Sequence, residues 1–159
     1  MKAYQARIAL PFGILGIVTE DEYLTEIDFL PDETLILPAQ TPLARKVCAQ
    51  LQAYVADPDF RFELPLQPHG TPYQNRVWQA LLEIPSGKAE SYGALAKHLG
   101  SAPRAVGQAC GANPIPVIIP CHRVLAKAGL GGFMNHADGS PLRIKRWLLE
   151  HEHVLRPAG

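Results

Sequence analysis

The chain predicts a mixed α/β (α+β) protein, strand-rich at first and helical afterwards. Between residues 4 and 29, short runs rich in β-branched and aromatic residues alternate with turn residues. From Thr41 onward, apolar residues recur at helical spacing behind Thr-Pro or Ser-Pro starts. The charge changes sign between the two regions: residues 1–69 carry five Lys+Arg against ten Asp+Glu, residues 70–159 ten against five.

With 159 residues, 47% hydrophobic and 19% charged, the chain can build one full core or two small domains. No apolar run approaches the roughly 18 residues of a membrane span. Met1-Lys2-Ala3-Tyr4 does not open a signal peptide, so a cytoplasmic protein with no membrane segment is expected. Three cysteines without a C-x-x-C pair support neither a disulfide framework nor a zinc finger, and no metal is expected. The charge asymmetry admits two readings, a polyanion partner for the second half or mutual attraction of the halves.

In order, the predicted strands are Tyr4 to Leu10, Gly13 to Thr19 and Leu24 to Phe29, broken at Pro11-Phe12-Gly13 and Glu20-Asp21-Glu22. Thr41-Pro42 starts a helix whose apolar residues Leu43, Val47, Leu51 and Val55 recur every four, with Cys48 as a small buried hydrophobe. Phe60, Phe62 and Leu64 alternate with charged residues as in a half-buried strand. The expected division is a domain over 1–66, a linker over 67–71 and a second domain over 72–159.

In that second domain, Thr71-Pro72 opens a helix that stops near Pro85-Ser86-Gly87. Ser91 caps a short helix, Tyr92 to Leu99, closed by Gly100, and another runs from Pro103 to about Ala112. The pair resembles a helix-turn-helix. The later helix, Arg104-Ala105-Val106-Gly107-Gln108-Ala109-Cys110-Gly111-Ala112, has nearly all small side chains. Such a helix suits close packing inside a protein; it also suits a DNA minor groove, only about 6 Å wide. Ser140-Pro141 opens a last helix, docked by Leu142, Trp147, Leu148 and Leu149.

The chemistry concentrates in Ile115-Pro116-Val117-Ile118-Ile119-Pro120-Cys121-His122-Arg123-Val124, a strand-like apolar run that ends in a nucleophile, a base and a cation. A cysteine attacks as its thiolate, formed by a nearby base or a positive environment. The Gly129-Leu130-Gly131-Gly132-Phe133 loop follows, where glycine lets backbone approach a ligand closely.

Asn113-Pro114 through Arg123-Val124, preceded by Arg104-Ala105-Val106-Gly107 and followed by Trp147-Leu148-Leu149 and Glu152, resembles the O6-alkylguanine-DNA alkyltransferase family over roughly residues 72–152. The resemblance implies an RNase H-like N-terminal domain and a helical, winged-helix-like C-terminal domain. It also implies a reaction: a modified guanine is flipped from the duplex and its O6 alkyl group moves irreversibly to a cysteine, once per molecule. On this basis Cys121 matches the acceptor, His122 the base acting through a water, and Glu152 the carboxylate that orients the histidine. Asn113 matches the brace of the active-site turn, and Tyr92 the phenol that hydrogen-bonds the guanine ring as O6 leaves. Arg104 matches the arginine that replaces the flipped base. Ala105, Gly107, Gly111 and Arg123 are expected at the DNA or substrate surface, with Val124, Gly131, Gly132 and Phe133 lining the base pocket.

No cofactor is implied. The implied partner is double-stranded DNA bearing O6-alkylguanine, with O4-alkylthymine a second lesion, and the protein is expected to be a monomer in solution. The sequence departs from the family pattern in three ways. Phe133 replaces a tyrosine of some members, Met134 to Gly139 forms an insertion, and the N-terminal zinc ligands of some members are missing. Three other activities compete: a non-repairing sensor of alkylated bases, a cysteine hydrolase, and a helix-turn-helix regulator in which Cys121 is dispensable.

Overall fold

The computed structural model describes residues 2–126, 129–133 and 140–156, so the expected insertion at Met134 to Gly139 lies outside the described residues. The chain forms two compact units, Met1–His69 and Gly70–Gly159.

The first unit is built on an antiparallel sheet of β1 (Ala6–Leu10), β2 (Gly13–Glu20) and β3 (Tyr23–Leu30), in the order β1-β2-β3. Ala6 stands opposite Ile17, and Ile17 opposite Ile27, so one face carries a continuous apolar row. Helix α1 (Pro42–Ala56) covers it, capped by the Thr41 hydroxyl, which accepts from the Ala44 amide at 3.1 Å. Its buried face is Ala44, Val47, Leu51 and Tyr54, not the expected line of Leu43, Val47, Leu51 and Val55. A strict spacing of four drifts around a helix of 3.6 residues per turn, and alternating three and four keeps to one side. Leu43 and Val55 are half-exposed, as is Cys48, which borders a shallow cavity of about 240 Å³ instead of entering the core.

Phe60, Phe62 and Leu64 keep alternating burial but form no strand. The side-chain amide of Gln50 takes the backbone of Glu63 from both sides, at 2.9 and 3.1 Å, leaving it none for a ladder. Phe62 instead lies 5.6 Å from the Tyr54 ring, centre to centre.

The second unit starts with α2 (Pro72–Leu82), whose Thr71 and Gln74 form a reciprocal capping box. Helix α3 (Tyr92–Leu99) is capped by Ser91 and ends at Gly100, which adopts a left-handed φ of 66° that glycine reaches without strain. Helix α4 (Pro103–Gly111) follows at once. The buried indole of Trp78 on α2 donates to the Ala109 carbonyl on α4 at 2.9 Å, and Arg76 donates to the Leu99 carbonyl at 2.9 Å. These bonds lock α2, α3 and α4 together, and burying Trp78 and Leu81 adds about 2 kcal/mol each.

A short parallel pair, β4 (Glu90–Ser91) and β5 (Val124–Leu125), joins the start of α3 to the segment after the cysteine turn. Helix α5 (Ser140–His151) closes the unit through Leu148 and Leu149, with Trp147 only half-buried and stacked on His151 at 4.7 Å.

Candidate active site

The apolar run before Cys121 is a buried turn, where the sequence suggested a strand. Pro114, Pro116 and Pro120 deny it ladder donors. The Asn113 side chain supplies the closure, accepting from the Ile115 amide at 2.9 Å and donating to the Ile119 carbonyl at 2.8 Å. One helical turn is completed by the Ile119 amide on the Ile115 carbonyl, and Val117 takes a φ of 74°, unusual for a β-branched residue. Asn113 therefore shapes the approach to the cysteine.

Cys121 opens a 3₁₀ turn over Cys121–Arg123 and is 3% exposed. Burial pushes its thiol up to about 11, opposed by a hydrogen bond from Asn113 and the charge of Lys145. His122, fully buried, holds Glu152 through Nε2 at 2.8 Å. Arg123 grips the same carboxylate twice, Nε to Oε1 at 2.8 Å and Nη2 to Oε2 at 3.0 Å, and gives Nη1 to the Ile84 carbonyl at 2.6 Å.

For Glu152, burial disfavours the charge, but His122 and Arg123 outweigh it and hold the carboxyl at about 2. Burial lowers the imidazole of His122 despite Glu152, so the resting arrangement is a neutral histidine beside an ionised carboxylate. An ionised carboxylate only accepts, so Nε2 carries the hydrogen and Nδ1 the lone pair. Nδ1 is buried and has no hydrogen-bond partner among the described residues.

Arg123 was expected at the substrate or DNA surface. Its side chain is only 12% exposed, and its donors are taken by the Glu152 carboxylate and the Ile84 carbonyl. Tyr92 stands at the first position of α3, beside β5, half-buried and pushed up to about 12, mainly by burial. Its hydroxyl donates to the Gly132 carbonyl at 3.3 Å. Gly107 of α4 faces the same ring: a Cβ there would lie 3.9 Å from Tyr92 Cε1. Gly131, with a φ of 73°, is tighter still, since a Cβ would come within 2.8 Å of Tyr92 Cε2.

The small residues of α4 divide by face. Val106, Ala109 and Cys110 turn inward, which is the close-packing reading, while Arg104 and Gln108 are exposed and Ala105 and Gly111 half-exposed. Val124 and Phe133 are buried.

Lys145 was missed in the sequence. It is fully buried, and its ammonium donates to the carbonyls of Val124, Leu130 and Gly132 at 2.8, 2.6 and 2.8 Å. Burial lowers it to about 8. Its position among apolar neighbours on α5 gave no signal, because a lysine between hydrophobes ordinarily reaches water with its head group. No group of three His, Cys, Asp or Glu side chains that could hold a metal converges among the described residues.

A buried thiol in a braced turn, followed by a neutral histidine tied to an ionised carboxylate, defines a protein that works through a cysteine nucleophile. Residues 72–154 match the family model described as 6-O-methylguanine DNA methyltransferase, DNA binding domain. The constitutive methylated-DNA–protein-cysteine methyltransferase of Bacillus subtilis is 38% identical, the match covering 95% of this chain and 96% of that protein. The crystal structure of the O6-methylguanine methyltransferase of Mycobacterium tuberculosis is 34% identical, with a TM-score of 0.79 over 99% of this chain and 97% of that one. A structure of the same organism's protein in complex with DNA is 36% identical, with a TM-score of 0.77 over 96% and 94%. The chain belongs to the 6-O-methylguanine DNA methyltransferase family.

Proposed function

We propose that the protein repairs duplex DNA by taking a flipped O6-alkylguanine and moving its alkyl group irreversibly to Cys121, once per molecule. The observation that carries this reading is the buried Cys121-His122-Glu152 arrangement inside the stretch that matches the family. His122 Nδ1 takes the thiol proton by way of one water, with Glu152 stabilising the imidazolium that forms. The sulfur attacks the alkyl carbon as the carbon–O6 bond breaks, and the bonding electrons return to the guanine. Tyr92 hydrogen-bonds the ring and passes it a proton as the bond breaks, so guanine leaves as the neutral base, and the proton held by the imidazolium of His122 restores the phenol through water. The products are an S-alkylcysteine and unmodified guanine in DNA.

In this reading the unit after residue 72 binds DNA and accepts the alkyl group, with an RNase H-like unit before it as support. Arg104, exposed on the first turn of α4, fills the place of the extruded base, with Ala105, Gly107 and Gly111 giving the helix its slim face. Val124 and the Gly131–Phe133 segment line the base pocket. O4-alkylthymine is a secondary lesion, and the protein acts as a monomer in the cytoplasm. No helix among the described residues is long and apolar enough to cross a membrane.

The test is intact-protein mass after incubation with excess duplex carrying one O6-methylguanine, followed by peptide mapping. One added methyl, stopping at one equivalent and located on Cys121, is expected. Cys121→Ala should bind the duplex and gain nothing. Lesion binding by the native protein without mass gain would make it a sensor, and neither would leave the hydrolase reading.

A further inference from the structure

We infer that Lys145 is a positioning residue: its three N–H bonds clasp the segment from Val124 to Gly132 and, through the Gly132 carbonyl, set the hydroxyl of Tyr92. The inference rests on the functional reading above only for what Tyr92 then does to the substrate.

The geometry is specific to a protonated lysine. An ammonium has three donors and no acceptor, and three carbonyl oxygens lie at 2.6–2.8 Å from this one. Those carbonyls belong to β5, which directly follows the cysteine turn, and to the glycine-rich segment beyond it. The clasp therefore ties the two ends of one excursion of the chain to α5. Loss of a proton would leave two donors for three carbonyls and aim a lone pair at the third. Each buried carbonyl left without a donor is costly, so a neutral Lys145 releases the segment at one point or another.

The link to Tyr92 is a shared acceptor. The Gly132 carbonyl takes both the Lys145 bond and the Tyr92 hydroxyl, and the ammonium lies 5.8 Å from the centre of the Tyr92 ring. Gly131 runs so close to the same ring that a Cβ there would come within 2.8 Å of it, which places the segment directly beside the phenol. Without Lys145, Tyr92 keeps its place on α3 but loses the fixed carbonyl that holds its single O–H in place until a substrate acceptor takes it over.

Titratable groups near the ammonium come from three other elements: Tyr92 from α3, Cys110 from α4, and Cys121 and the neutral His122 from the cysteine turn. Tyr92 and Cys110 are held at about 12 and Cys121 at about 11. Lys145, at about 8, is thus the first of the four to lose a proton on raising the pH. The unfolded chain would keep that proton to near the ordinary 10.5. Between those values the folded chain binds fewer protons, so rising pH favours folding through this group. A loss of activity in that window is then local and not an unfolding event.

The experiment pairs amide hydrogen exchange with transfer kinetics, on native protein and on Lys145→Met, which keeps the stem and removes the donors. In the variant, amides of residues 124–126 and 129–132 should exchange at least about tenfold faster, with α3 and α4 unchanged. If the variant does not fold, the native pH–rate profile decides the matter: transfer should fall above about pH 8, where the folded chain itself gains stability through this group. Methyl transfer should fall about tenfold or more in the variant while duplex affinity stays within about twofold. The native rate should drop above pH 8 and the variant should lack that drop. Unchanged exchange in the variant, a native rate with no fall above pH 8, or a variant with the native pH profile overturns the inference. If native protein transfers no methyl to Cys121, the functional reading fails, and exchange alone judges the clasp.

Discussion

Lys145 and Glu152 stand about two helical turns apart at the same end of the chain, and both hold the short stretch around the cysteine. Lys145 holds the strand that leaves it, through the Val124 carbonyl at 2.8 Å, and Glu152 holds its middle, through His122 at 2.8 Å. The last helix and the residue just past its end therefore supply a buried cation and a buried anion to a site whose nucleophile comes from elsewhere. Each charge is satisfied by hydrogen bonds, which lets such groups persist inside a protein.

Glu152→Gln should separate the parts of this arrangement. It leaves the Arg123 guanidinium without its counter-charge in a mostly buried place, so the variant should lose about 3 kcal/mol of stability at neutral pH. Transfer should slow more than DNA binding weakens, because His122 loses its orienting carboxylate while Arg104 is untouched. The pH dependence has a definite sign. The carboxyl is held at about 2 against an ordinary 4.5, so its contribution is complete above 4.5 and disappears as pH falls towards 2. Denaturant unfolding at pH 7, 4.5 and 3 should show this acid loss in the native protein and much less in the variant. Equal acid sensitivity would remove Glu152 from the account.

Asn113→Ala should strip two hydrogen bonds from a buried turn at once. The Ile115 amide would be left without a partner and the Ile119 carbonyl with the Cys121 amide alone, at a cost of about 1–3 kcal/mol. Asn113→Asp keeps an acceptor for Ile115 but loses the donor to Ile119, and should also lose the hydrogen bond that eases ionisation of Cys121. Both variants should transfer slowly. Measured transfer at native speed in either one would show that the turn holds its shape unaided.

Gly131→Ala and Gly100→Ala make an informative pair. Both residues have left-handed φ, 73° and 66°, so each alanine carries roughly 1–2 kcal/mol of backbone strain. At Gly100 a Cβ meets nothing within 4 Å, whereas at Gly131 it meets Tyr92 at 2.8 Å and the Ala126 amide at 3.1 Å. Thermal melting should register both substitutions, and transfer kinetics chiefly the one at Gly131. Comparable transfer in the two variants would argue that the Tyr92 ring has room to move.

Much of this was legible in the residues because the determinants are local. Thr71, Ser91 and Gly100 announce helix ends through groups within three or four positions, and α3 begins and ends where they place it. The order Cys121, His122, Glu152 identified the reacting groups through resemblance. What escaped depends on partners far along the chain. Arg123 looked like a surface contact until Glu152 and the Ile84 carbonyl claimed its donors. The run from Ile115 to Ile119 has the composition of a strand, yet a side chain two residues upstream bends it into a turn. Lys145 needs acceptors 13 to 21 positions away, which no periodicity reports.

The burial of Cys121 bears on how a reagent used once can remain intact until it is needed. Burial pushes the Cys121 thiol up to about 11, so at neutral pH the group rests protonated. Diffusing electrophiles in the surrounding solution meet almost no thiolate, and the packed turn admits few of them. The side chain is kept in reserve by the same desolvation that makes it hard to ionise. Reactivity is then conferred by the arrival of the damaged base, and the irreversible step is reserved for the molecule it serves.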